Sequence, residues 1–126
     1  MSADLIELAE RCEAATGADT KLEREIAEAL GWRHVRNKGP ESEWFPYVWV
    51  APDGKCDADE TYPDYTASID AALTLVPEGW NWQVGKGNHC WSAVYQGAPP
   101  SMRVDPIAAT PALAICAAAL RARAAQ

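Results

Sequence analysis

The chain has little of what most catalytic sites are built from. Its 126 residues include only two histidines, His34 and His89, and four cysteines, none spaced as a Cys-x-x-Cys pair. That spacing excludes a zinc knuckle and a thioredoxin-like redox pair. No G-x-S-x-G elbow is present, so neither histidine completes a recognisable Ser-His-Asp arrangement. His89 and Cys90 are neighbours, and neighbours on a strand point to opposite faces, which separates them as base and nucleophile. No motif asks for a metal or a cofactor.

Other absences bound the class. No run of about 18 apolar residues occurs, so no membrane-spanning helix is expected. Residues 1–10 are acidic and lack a basic flank before an apolar stretch, so a secretory signal is not expected either. The cysteines are then expected to be free thiols in a reducing cytoplasm. A duplex-reading protein carries a basic stripe, because phosphate neutralisation supplies most of its affinity. None is visible, and duplex nucleic acid is not the expected partner. There is no internal repeat and no low-complexity linker.

What is present suits one globular domain. Hydrophobic residues make up 48% of the chain and charged residues 23%, with a formal net charge of −7. A chain of this length can close a single core. The charge is uneven: residues 1–30 carry eight acids against three bases, and residues 51–79 seven acids against one. Residues 80–126 are net basic. Glu7, Glu10, Glu13, Glu23, Glu25 and Glu28 read as solvated helix faces, or as a surface that meets a basic protein groove.

The periodicity gives the elements. Leu5, Leu8, Ala9 and Cys12 recur at helical spacing over 3–15. Thr20 and Glu23 have the spacing of a capping box, and Leu22, Ile26, Ala29 and Leu30 stripe a second helix that ends at Gly31. Trp44 to Val50 is aromatic and β-branched, which predicts a strand with Pro46 at its edge or beginning. Residues 65–76 read as a helix capped by Thr66 and stopped by Pro77 and Gly79. Residues 80–84 alternate as a half-buried strand, 85–88 turn, 90–95 suit a central strand, and 102–104 offer one more. Thr110 and Pro111 start a last helix, with Leu113, Cys116, Ala117 and Leu120 as its stripe and Arg121 and Arg123 at the negative end of its dipole. The order α-α-β-α-β-β-β-α predicts an α+β fold: a small antiparallel sheet of about four strands packed with helices.

Two segments carry a family likeness: YTASIDAALTLVP at 65–77, followed by Trp80 and Trp82, and ATPALAICAAAL at 109–120. Together with the opening LIELAERCEAATG at 5–17, they resemble the phage ABA sandwich family, small proteins of phages and prophages. The resemblance covers about half of the chain. It implies a phage origin and a sandwich fold; with no export signal, the expected compartment is the cytoplasm of a bacterial host. The resemblance carries no catalytic role across, because the matching residues are caps and core stripes. Residues 32–63 fall outside it.

The remaining candidates are aromatic and basic. Asp53, Asp57, Asp59 and Glu60 do not have calcium-loop spacing, and no carboxylate pair is singled out for glycosidase chemistry. All six tryptophans lie between Trp32 and Trp91. Trp80 and Trp82 share a strand face, which places one or both in the core. Trp91 and Tyr95 share a face of the next strand, and a ring not needed for the core can stack on a base. Lys86 and Arg103 lie near enough in sequence to receive a phosphate, and Arg33, His34 and Arg36 form a second basic cluster. The candidate ligand-binding set is therefore Trp82, Lys86, Trp91, Tyr95, Arg103, Arg33 and Arg36. The first expected function is a non-enzymatic, oligomeric phage protein that counters host defence by sequestering a nucleotide-derived signal. Its interface would be the alanine-rich helix or an edge strand. The alternatives are a protein inhibitor such as an anti-CRISPR protein, using the acidic helices, and a small nucleotide hydrolase using His34, His89 or Cys90.

Overall fold

The structure is a computed structural model and describes residues 2–40, 42–56, 61–97 and 106–126. Nine elements follow in order: α1 (Ser2–Ala14), α2 (Thr20–Ala29), β1 (Arg33–Arg36), β2 (Tyr47–Val50), α3 (Ile69–Leu73), β3 (Asn81–Lys86), β4 (Cys90–Tyr95), β5 (Ile107–Ala108) and α4 (Pro111–Ala124). The fold is α+β, as the sequence predicts. Its strands divide differently, into an antiparallel ribbon β1-β2 and a separate antiparallel sheet ordered β3-β4-β5. β1 went unpredicted because Arg-His-Val-Arg holds only one β-branched residue. The strand expected at 102–104 lies outside the described residues, and the observed third strand is β5. Among the described residues no helix is long and apolar enough to cross a membrane.

α4 is the centre of the molecule. Thr110 caps it by accepting a hydrogen bond from the Leu113 amide, and Pro111 takes the first turn. Every residue from Ala112 to Leu120 is buried. A helix that is apolar on all sides must be enclosed on all sides. Here α1, α3 and β4, with β3 and β5, all pack on it. Its alanine face is therefore filled by the chain itself, and an oligomer interface there is ruled out.

Polar ties lock the helices to this core. Arg121 binds Glu13 of α1 bidentately, with both N···O distances 2.8 Å. Cys116 donates its thiol proton to the Tyr65 carbonyl at 3.2 Å. The Cys12 thiol beside it and burial push the Cys116 thiol up, so it stays protonated. Arg11 crosses from α1 to Glu25 of α2 at 2.6 Å.

Three local expectations change. Asp19, not Thr20, caps α2, accepting from the Leu22 amide at 3.0 Å. α3 is a short helix capped by Ser68, because the chain at 65–67 is a turn. Thr66 is drawn instead to a carboxylate 43 residues away: its amide and hydroxyl both donate to Glu23, at 3.0 and 2.6 Å. Glu23 is thus buried, not a solvated face. The Asp19 amide closes the network on the Thr66 hydroxyl at 2.8 Å. A buried carboxylate needs such donors, since an unpaired one costs several kcal/mol.

Two predictions follow from these ties. Thr66→Val keeps the side-chain shape and removes one donor from buried Glu23, so it should cost about 1–3 kcal/mol by urea unfolding; an unchanged midpoint would show that the network is not structural. The Arg11 hydrogen bond holds the Glu25 carboxyl below its ordinary value of 4.5. A lowered folded pKa adds stability above the ordinary carboxylate range and loses it as pH falls through the folded value. The pair is about one-third exposed, so Arg11→Ala should cost no more than about 1 kcal/mol at pH 7. That difference from wild type should shrink in thermal melts as pH falls through the lowered Glu25 value.

Candidate functional site

The residues proposed from sequence separate onto three surfaces. In the β3-β4 register, Asn81 faces Tyr95, Gln83 faces Ala93 and Gly85 faces Trp91, so these six positions share the outer face of the sheet. Trp82 and Lys86 pair with Val94 and Cys90 and belong to the opposite face. Trp91 and Tyr95 are thus together, as alternation predicts, but Trp82 and Lys86 are not with them. Trp82 is 45% exposed and Trp80 lies outside the main core cluster, so neither fills the core. Arg103 lies outside the described residues. Trp91 already has a structural task, because a Cβ added at Gly85 would overlap its indole ring. The ring lies across the glycine, which is why position 85 has no side chain.

The β1-β2 ribbon gathers more. Its entry is set by the end of α2, where Gly31 adopts φ +106°. The Gly31 amide then bonds the Glu28 carbonyl and the Trp32 amide the Ala27 carbonyl, a Schellman closure that turns the chain into β1. At the far end Asn37 staples the connection. Its amide donates to the Pro46 carbonyl at 2.9 Å and its side chain to the Phe45 carbonyl at 2.9 Å. The next turn closes with the Gly39 amide on the Asn37 side chain, also at 2.9 Å. The connection is therefore held by hydrogen bonds, yet Trp44 is 78% exposed and Phe45 41%.

Register sorts the ribbon into two faces. Arg33 opposes Val50 and Val35 opposes Val48, forming one face, where Val48 is buried. His34 opposes Trp49 and Arg36 opposes Tyr47, forming the other. Arg33 and Arg36, three apart on a strand, thus point to opposite faces. The His34 ring stacks on Trp49 with centroids 4.7 Å apart and planes 17° apart, and lies 5.5 Å from Tyr47. Arg24 of α2 places its guanidinium 5.3 Å from the Trp49 ring centre. Tyr62 meets Trp49 edge-on at 4.9 Å and continues to Trp32 at 6.5 Å. Tyr47 remains 56% exposed, and His34 and Arg36 are open to water.

The result is a row of planar rings flanked by two guanidinium groups on one solvent-facing surface. The sequence reading included Arg36 and His34 but missed Arg24, Tyr47 and Trp49. Alternation marks the last two, since Tyr47 and Trp49 are separated by two on a strand. Nothing local marks Arg24, which arrives from another element. Compared with protein families, curated proteins and solved structures, the chain matches none.

Gly85→Ala should lift the Trp91 ring from the sheet, lower stability by about 1–3 kcal/mol and change the near-ultraviolet circular dichroism. An unaltered spectrum and melting temperature would show that the indole does not lie on position 85.

Proposed function

We propose that the protein is a non-enzymatic binding protein for a nucleotide-like ligand, taken up on the His34–Arg36–Tyr47–Trp49 face of the ribbon. The observation that supports this is the sharing of one open face by exposed rings and cations. A base has a π-face that stacks on Tyr47 or Trp44, and base–aromatic stacking is worth about 1–3 kcal/mol. A phosphate pairs with the Arg36 guanidinium, whose planar fork matches its oxygens. Arg24 over Trp49 keeps positive charge beside the rings. The outer face of the three-stranded sheet offers Trp91 and Tyr95 but no cation among the described residues.

The phage setting belongs to the same proposal. It rests on the likeness of 65–77 and 109–120 to the phage ABA sandwich family, and with it the task becomes sequestering a nucleotide-derived defence signal. A second reading is a protein inhibitor. The groove between α1 and α2 favours it, because Asp4, Glu7, Glu25 and Glu28 line it against a single base, Arg11. A basic nucleic-acid channel on a host protein has the complementary charge.

A thermal-shift panel of mononucleotides, cyclic oligonucleotides and ADP-ribose derivatives separates the two. A ligand at about 100 times its dissociation constant adds about 2.7 kcal/mol of stability and is recovered intact on denaturation. Tyr47→Ala and Arg36→Ala should each weaken the hit by about tenfold or more. Affinity unchanged in both variants removes the ribbon as the site, and silence across the panel favours the acidic groove.

A further inference from the structure

A cleft of about 330 Å³ opens where Arg123 of α4, Thr74 at the end of α3, and Pro52 and Pro63 approach one another. Trp32, Pro52, Pro63, Tyr65, Thr74 and Arg123 line it. Trp32, at the end of the ring row, is shared with it, while His34, Arg36, Tyr47 and Trp49 do not line it. Its size is at the lower end of small-molecule sites.

The polar groups in this cleft are fixed in position. Arg123 donates from Nε to the Leu75 carbonyl at 2.6 Å, which anchors the guanidinium and leaves both Nη groups for another acceptor. No carboxylate lines the cleft among the described residues, and Arg123 forms no ion pair with any of them. Tyr65 is buried, and burial pushes its hydroxyl up to about 12, opposed by the Trp32 indole N–H and the charge of Arg123. The hydroxyl therefore keeps its proton at neutral pH. Its proton is available to an acceptor in the cleft. Trp32, Pro52 and Pro63 supply flat apolar surface around these donors.

A fixed guanidinium beside a protonated phenol selects an oxyanion and rejects a cation. The apolar surface selects a flat body of limited size. From this arrangement we infer that the Trp32–Tyr65–Arg123 cleft is a second binding site, for a small organic anion whose carboxylate or phosphate head meets Arg123 and whose planar body lies against Trp32 and the two prolines. The inference stands apart from the ribbon, because Arg123 and Tyr65 take no part in that face.

The test uses three probes of similar shape: benzoate, phenyl phosphate and benzamidine. Each is titrated into the whole protein, labelled with nitrogen-15, to about 10 mM while the Trp32 indole and Arg123 Nε–H resonances are followed. Benzoate or phenyl phosphate should shift both, the stronger of the two identifying the head group, and benzamidine should shift neither. Arg123→Gln should weaken the anion by about tenfold or more. Tyr47→Ala, on the ribbon, should leave it unchanged, so failure of one site does not imply failure of the other. Benzamidine shifting these resonances as strongly as benzoate would overturn the assignment. So would full benzoate affinity in Arg123→Gln, or no response to any probe. If Arg123→Gln does not fold, the wild-type comparison of anion with cation decides, with Tyr65→Phe expected to weaken the anion.

Discussion

Close packing around α4 is the constraint on which the rest of the molecule depends. A helix can be surrounded on all sides only if its own side chains are thin enough for neighbours to approach. Ala112, Ala114, Ala117, Ala118 and Ala119 meet that condition, while Leu113, Ile115 and Leu120 fill the space between layers. Enlarging any alanine would press against α1, α3 or β4, since interiors are packed as densely as organic crystals. The two arginines at its end are then used as ties. Arg121 reaches α1 and Arg123 reaches the Leu75 carbonyl just past the end of α3. A pair that the sequence assigns to the helix dipole thus also sets the positions of two neighbouring helices.

How much of this was legible depends on whether the cause is local. The start of α4 was, because Thr110 and Pro111 act within one turn. The free, buried state of Cys12 and Cys116 was, because both sit on apolar stripes. The α+β class and the central place of β4 were legible from alternation and turns. Glu23 was not. Its position on a polar helix face reads as solvated, and only the return of Thr66 against it makes burial tolerable. The same contact explains the α3 boundary, since Thr66 is engaged with α2 and cannot cap. β1 was hidden because a two-stranded ribbon draws its pairing from its partner strand and little from its own sequence.

The candidate site shows the same division. Trp91 and Tyr95 were correctly placed on one face by the period of a strand. That period also separates Arg33 from Arg36, although the two read as one cluster in sequence. The rings that gather around Trp49 come from β1, β2 and the segment before α3, and Arg24 comes from α2. No window of sequence contains them together. The cleft is less local still, joining Trp32 to Arg123 across nearly the whole chain.

The ribbon adds only Val48 to the buried residues, and Val48 stands outside the cluster organised by α4. The exposed residues at 33, 34, 36, 44, 45 and 47 are therefore free to change with almost no effect on folding. Selection can rewrite what this surface recognises while the helical body stays the same. Relatives that share the body would then be expected to differ most between α2 and α3, and a designer could exchange that segment as a unit.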